Sequence, residues 1–225
     1  MSVEQSRTPL FPGRKEDTNR VRDITSAEVA SATEIIRSLA ARTMTGEPKA
    51  APYELYEAIQ ALTPQPVVEV VVVDGKGRYA LMRRPLDDKT FGPGRLHVLG
   101  GFLKPDRKGI SMVDAGRKMI EDEMGVAGAE YVAGPIATRQ WTRTIDHPTA
   151  WPNSQVYVLK VPGDIPDRDD VVWFDNDKLP TQDEVIIGRP GQIHQDFLRV
   201  YQEWCKNPQQ PCRDLNEKPL PAMEA

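Results

Sequence analysis

The sequence has no long apolar run and few cysteines. None of its apolar stretches approaches the roughly 20 residues that cross a bilayer, and its polar N-terminal segment lacks the apolar core of a secretory signal. We therefore expect a cytoplasmic protein without a membrane partner. Its two cysteines, Cys205 and Cys212, have no further Cys or His at zinc-ligand spacing, which argues against a zinc site or a disulfide scaffold.

The chain also lacks an excess of basic residues. Its formal net charge is −4, so there is no overall basic field to hold a nucleic-acid backbone, and we expect no nucleic-acid partner. Any phosphate recognition must come from a local group of side chains. With 225 residues, 39% of them apolar, the chain is long enough to bury one substantial core.

The N-terminal part is predicted to be helical after a flexible arm at residues 1–23. Thr25 followed by Glu28 is a capping-box pattern that opens a helix ending between Thr43 and Gly46. A second short helix is expected at Tyr53–Leu62, where Pro64 stops it. This extension, residues 24–65, either packs on a core or forms a homodimer contact. Packing is the simpler interpretation of an apolar helical stripe.

The main domain, residues 66–206, begins with a predicted buried hairpin. VVEVVVVD is almost entirely β-branched, Gly75–Gly77 supplies a turn, and RYALMR forms the returning strand. A short run then leads into Gly100-Gly101. A helix capped by Ser111 should extend to about Met124 and end at Gly125, because glycine tolerates positive φ.

Three strands and a helix complete the domain. Three strands are predicted at Tyr131–Trp141, Gln155–Val161 and Val171–Phe174, followed by a helix at Pro190–Cys205. Residues 207–225 are polar and contain prolines, so they are expected to form a flexible tail. The pattern predicts an α/β (α+β) fold.

This order of elements resembles the Nudix hydrolases. The resemblance is carried by the strand pair, LGGFLKPD, the acidic segment DAGRKMIEDEMGV and the later VVWFDNDKLP. It implies a mixed β-sheet sandwiched between helices, here with an N-terminal helical extension. It also implies a hydrolase whose substrate is a small nucleotide-type molecule, a nucleoside diphosphate linked to another moiety, as in a nucleotide sugar or an ADP-ribose-like molecule.

The family motif can be placed by its final glycine, Gly125. Its closing acidic pair then falls on Asp122 and Glu123, but its Arg-Glu pair falls on Lys118 and Met119. Ile110 occupies the position of the motif's first Glu, and Leu99 occupies that of its usual Pro. The loop between the glycine pair and the helix is also longer than in the motif. A register one residue earlier restores Arg117 and pairs Glu121 with Asp122, but needs an extra residue before Gly125, so we use the glycine register.

Diphosphate hydrolysis needs charge neutralisation and an oriented water, which Mg²⁺ or Mn²⁺ held by carboxylates supplies. The resemblance implies that Asp122, Glu123 and the Gly101 carbonyl hold a single such cation. The alternative is that the acidic run is a solvated helix face with an ordinary ion pair from Lys118 to Asp122.

The branch of mannosyl hydrolases that acts on GDP-mannose resembles this chain in one missing carboxylate. It also has an apolar residue in place of the Glu of Arg-Glu. It uses a loop histidine as base, so the candidate bases here are His147, which we prefer, and His194, which is expected on a helix surface. His97 is expected to be a packed strand residue. Arg83, Arg84 and Arg139 are the candidate phosphate ligands.

Two functions therefore remain open. One is Mg²⁺-dependent hydrolysis with Glu123 and His147 as catalytic residues. The other is a catalytically inactive Nudix-fold protein that binds a nucleotide or acts as a scaffold, in which the acidic helix is structural. Fold alone does not separate them, because function resides in the site.

Overall fold

The computed structural model describes residues 25–45, 63–86, 92–103, 111–142, 152–163, 165, 168–181, 183–185, 189–217 and 220. The chain divides into two compact units, residues 1–49 and residues 50–225. The predicted arm at 1–23 and the predicted helix at 53–62 lie outside the described residues.

The first unit contains helix α1, Ser26–Thr45. Its predicted capping box is confirmed: Glu28 Oε2 accepts a hydrogen bond from the Thr25 backbone N–H at 2.9 Å, and Thr25 Oγ1 accepts one from the Glu28 N–H at 3.3 Å. Ile35 and Ile36, from its predicted apolar stripe, are about half exposed.

The second unit is a mixed sheet with helices. Its strands are β1 Gln65–Val73, β2 Arg78–Arg83, β3 Leu96–His97, β4 Leu99–Phe102, β5 Glu130–Gln140, β6 Pro152–Lys160, β7 Val171–Asp175 and β8 Arg213–Asp214. Helix α2 is Met112–Met119 and continues into a π-helical turn, Ile120–Met124; helix α3 is Arg189–Lys206.

Strand β1 lies at the centre of the sheet. The strand order is β3, β2, β1, β6, β5 and β8, with β4 paired to β1 and β7 paired to β2. The hairpin of β1 and β2 is antiparallel, as predicted. Strand β2 pairs only with the end of β1, at Val72 and Val73. The beginning of β1, Val67–Val70, pairs instead with β4, while β6 runs parallel along its other side.

Both faces of β1 are buried, which explains its almost continuous valines. Successive side chains of a strand point to opposite faces. Val68, Val70 and Val72 pack in one cluster with Ile120 and Met124, at the end of α2. Val71 and Val73 pack in a second cluster with residues of α3 such as Phe197. We call these sides the α2 face and the α3 face. The predicted sheet sandwiched between helices is therefore confirmed.

Helix α2 approaches the sheet closely at Gly116. A Cβ atom there would lie 2.9 Å from Leu159 Cδ1 and 3.0 Å from Val70 Cγ2. Because no side chain separates the helix from the sheet at this point, the rest of α2 also lies low over β1 and β4.

The segment after α3 differs from the flexible tail expected from residue 207. Arg213–Asp214 forms β8, parallel to β5, and Leu215 is only 1% exposed. Leu215 is the apolar residue in an otherwise polar stretch, and its burial in the α3-face cluster holds the segment against the sheet.

The helices were considered as possible membrane spans. None of the helices in the described part of the chain has the length and apolar character needed to span a bilayer.

Candidate functional site

The glycine pair and the acidic helix lie at one place on the α2 face. Helix α2 begins as predicted, with Ser111 Oγ accepting a hydrogen bond from the Asp114 N–H at 3.1 Å. It also ends as predicted, because Gly125 adopts a φ of 71°. Between them, Ile120–Met124 is a π-helical turn rather than the continuous α-helix expected, and such turns are frequent at functional sites.

Met119 connects this helix to the glycine pair. Its sulfur lies 3.2 Å from the point where a Cβ on Gly101 would be. The position to which the sequence resemblance assigns a carboxylate therefore presents a thioether to the glycine. Glu123 follows Met119 by one helical turn.

The predicted metal ligands Asp122 and Glu123 are both exposed. Lys118 Nζ donates to Asp122 Oδ1 at 3.1 Å, so the i to i+4 ion pair anticipated as the alternative interpretation is present. Among the described residues, no three His, Cys, Asp or Glu side chains form a group that would hold a metal ion.

The donors that remain fit one hard cation. Two carboxylates and a backbone carbonyl are oxygen ligands of the kind that Mg²⁺ prefers, with water in its other positions, whereas the Met119 thioether suits softer metals. The turn that carries Asp122 and Glu123 follows directly on Met119, the residue that approaches Gly101. By the type of their donor atoms, these residues suit a single hard cation.

A second polar group lies on the α3 face and was not predicted. Glu69 of β1 is buried, and its Oε1 accepts a hydrogen bond from Ser154 Oγ at 3.1 Å. The Trp141 indole N–H donates to the same Ser154 oxygen at 2.9 Å. Burial raises the pKa of Glu69 to about 8, and the Ser154 hydrogen bond only partly opposes this rise.

Glu69 had a signal in the sequence. It is the charged residue within VVEVVVVD, and a strand with two buried faces leaves a carboxylate no route to water. Its partner Ser154, and Trp141 that donates to Ser154, are distant along the chain, which is why spacing alone does not reveal the group.

His194 of α3 is also on this face, where the prediction of a helix-surface residue is wrong. It is 7% exposed, because it lies on the same helical stripe as Phe197, Leu198 and Tyr201, all of which are buried. Its Nδ1 accepts a hydrogen bond from the Val98 N–H at 3.0 Å. Burial, followed by the charges of His97 and Arg84, lowers its pKa to about 3, so the ring is neutral.

His97 lies in β3, as expected, with its ring 6.3 Å from that of His194. The preferred base, His147, lies outside the described residues. Of the described residues on either side of it, the Trp141 backbone N–H donates to the Pro152 carbonyl at 2.9 Å.

The three candidate phosphate ligands occupy different positions. Arg83 is exposed and donates from Nη1 to the Gly94 carbonyl at 2.8 Å. Arg84 lies close enough to His194 to affect its pKa. Arg139 is opposite Ser154 in the β5–β6 register and donates to the Leu215 carbonyl at 3.1 Å. Arg139 thus belongs with the Glu69 group on the α3 face.

No protein-family model matches the sequence, and no curated protein matches it. Several solved structures, however, are similar to this chain at low sequence identity. A NUDIX hydrolase from Nitrosomonas europaea aligns with 68% of this chain and 78% of its own at 14% identity and a TM-score of 0.49. An ADP-ribose pyrophosphatase from Streptococcus suis aligns with 68% and 99% at 16% identity and 0.47.

A UDP-X diphosphatase aligns with 85% of this chain and 89% of its own, at 20% identity and a TM-score of 0.46. All three alignments have sequence identities of 20% or less and TM-scores below 0.5.

Proposed function

We propose that this chain hydrolyses a nucleoside diphosphate linked to another group, such as a sugar or a second ribose, with one Mg²⁺ or Mn²⁺. The cation would be held by Glu123, Asp122 and the Gly101 carbonyl. The observation that carries the proposal is the approach of Met119 to Gly101, with its sulfur 3.2 Å from where a Cβ on Gly101 would be; this brings the acidic end of α2 to the glycine pair on β4.

The proposed roles follow from the chemistry of the diphosphate. A bound divalent cation neutralises charge on the phosphate oxygens and polarises the bond to be broken. Glu123 and Asp122 would orient it, and a guanidinium group from Arg83 or Arg84 would hold the remaining phosphate oxygens. The third candidate, Arg139, lies on the α3 face, on the opposite side of the sheet from this cation. His147 is the proposed base, since a neutral imidazole accepts a proton near neutral pH.

The second candidate is a Nudix-fold protein that binds a nucleotide or acts as a scaffold without turnover. The observations that favour it are the thioether at position 119 and the Lys118 ammonium on Asp122, both of which weaken a cation site. It predicts that the carboxylate of Glu123 contributes nothing to ligand affinity, and it leaves the N-terminal extension available as a homodimer contact.

Turnover of a substrate panel separates the two candidates. Wild type is assayed against nucleotide sugars, ADP-ribose, dinucleotides and nucleoside triphosphates with Mg²⁺ or Mn²⁺, beside Glu123→Gln. Glu121→Gln is the matched control, because Glu121 is also an exposed carboxylate in the same π-helical turn.

We expect turnover that Glu123→Gln reduces by about 100-fold or more and Glu121→Gln leaves intact, the scale of losing a metal ligand. Absence of turnover by folded wild type across the panel, combined with nucleotide binding, would establish the second candidate instead.

A further inference from the structure

Glu69 fills the space that a side chain at residue 100 would need. The two residues are directly opposite each other in the β1–β4 register. A Cβ added to Gly100 would overlap Glu69 Oε2 and would lie 2.7 Å from Glu69 Cδ. Only glycine fits at residue 100 while the Glu69 side chain keeps this position.

The carboxyl group is held there by one oxygen. Oε1 accepts the hydrogen bond from Ser154, which in turn accepts one from Trp141. Oε2 is buried and makes no hydrogen bond to any described residue; it lies over Gly100. With Oε1 bonded to Ser154 of β6, Oε2 is therefore directed at Gly100 of β4.

The neighbouring glycine is covered from the opposite side. Consecutive residues of a strand point to opposite faces, so the missing side chains of Gly100 and Gly101 leave space on different faces of β4. Glu69 occupies the first space from the α3 face, and Met119 occupies the second from the α2 face. The glycine pair is therefore clamped between two side chains.

We propose that Glu69 is a positioning residue for this glycine pair: through Gly100 it fixes the β4 backbone, and with it the Gly101 carbonyl. The inference rests on the proposed function, in which that carbonyl is a metal ligand. Groups that orient a ligand without touching the metal commonly change metal affinity by 10- to 100-fold.

The test is Mn²⁺ binding by the full chain, measured by electron paramagnetic resonance of the free ion, without any substrate. Glu69→Ala empties the space over Gly100, Glu69→Gln keeps its length, and Val71→Ala is the control. Val71 is two residues along the same strand and on the same face, and it is equally buried. Circular dichroism confirms that each variant is folded at the temperature used.

We expect Glu69→Ala to weaken Mn²⁺ binding by about tenfold or more, while Glu69→Gln and Val71→Ala stay close to wild type. Equal affinity in Glu69→Ala and wild type would overturn the positioning role and leave the proposed function standing. Equal weakening in Val71→Ala would also overturn it, since the effect would then be one of general stability. A folded wild type that binds no Mn²⁺ would remove the proposed metal site and this role together.

A second pair of variants keeps the test decisive if Glu69→Ala does not fold. Gly100→Ala should weaken Mn²⁺ binding because its Cβ displaces the Glu69 carboxyl group. The double variant Glu69→Ala/Gly100→Ala should recover part of the affinity, because the new methyl group enters the space that the carboxyl group has left. A double variant no better than Gly100→Ala would contradict the clamp.

Discussion

The Nδ1 atom of His194 accepts a hydrogen bond from the Val98 backbone N–H at 3.0 Å, which ties α3 to the residue between β3 and β4. This residue precedes the glycine strand, so the histidine anchors the approach to the candidate site. The bond requires an unprotonated Nδ1, and the ring must therefore remain neutral for the link to persist.

Acid should weaken the fold through His194. Its pKa is lowered from 6.5 to about 3, so between these values the unfolded chain binds a proton that the folded chain does not. The His194 contribution to the free energy of unfolding then falls as the pH drops through this window, by about 1.4 kcal/mol per pH unit at most. Urea unfolding of wild type and His194→Asn from pH 6.5 to pH 4 measures the difference. Asn keeps an acceptor for Val98 and does not titrate, so parallel curves for the two proteins would contradict the assignment.

Glu69 should produce the opposite dependence. Its pKa is raised from 4.5 to about 8, so the folded chain retains a proton that the unfolded chain releases. The Glu69 contribution to the free energy of unfolding should decrease as the pH rises from about 4.5 to about 8 and level off above that, again with a limiting slope of about 1.4 kcal/mol per pH unit. Below pH 6.5 this slope opposes the His194 slope, so the measured quantity is the difference in urea unfolding between wild type and Glu69→Gln, which keeps His194. A wild type whose pH dependence matches that of Glu69→Gln would show that the carboxyl group reaches water.

Restoring a carboxylate at residue 119 should strengthen the cation site. Met119→Glu places an acidic side chain beside Gly101 and one turn before Glu123, in the arrangement of the Nudix motif. An added anionic ligand should tighten Mn²⁺ binding by about tenfold, which corresponds to about 1.4 kcal/mol. Calorimetric titration gives the affinity. Met119→Gln is the control of equal length without charge, and equal affinity of the two variants would place the cation elsewhere.

Gly116→Ala should move the acidic helix away from the sheet. The new methyl group meets Leu159 at 2.9 Å and Val70 at 3.0 Å. Overpacking of this kind costs about 1–3 kcal/mol, and the better helix propensity of alanine returns up to about 1 kcal/mol. We expect a net loss of roughly 1 kcal/mol in urea unfolding, with weaker Mn²⁺ binding.

Gly75→Ala serves as the control for that change, because a Cβ at Gly75 meets no atom within 4 Å. It should leave both measurements unchanged. If Gly116→Ala did the same, the helix would have more room over the sheet than its contacts indicate.

The elements that were predictable are those whose signals are local. The valine run of β1, the Ser111 cap of α2 and its end at Gly125 each depend on a few neighbouring residues, and the structure confirms them. The pairing of β4 with the first half of β1 was not predicted. Strand β4 is half glycine, so it carries little of the β-branched pattern that identifies a strand.

The candidate site was predictable only where its signal is local. The motif placed Gly101, Asp122 and Glu123 in order along the chain. The direction of the Met119 side chain depends instead on how α2 packs on the sheet, and that packing depends on Gly116. The burial of Glu69 and His194 depends on residues that are remote in sequence, such as Ser154 and Val98. Hydrogen bonds across such separations leave no periodic trace in the chain.

The short strand β8 has a consequence for how far the chain can be shortened. Arg213–Asp214 covers part of one side of β5, and the Leu215 N–H donates to the Thr138 carbonyl at 3.0 Å. If translation stopped after α3, those backbone groups of β5 would become an open sheet edge next to an unfilled apolar site. Such edges recruit strands from other molecules, so a shortened chain would be prone to self-association through β5.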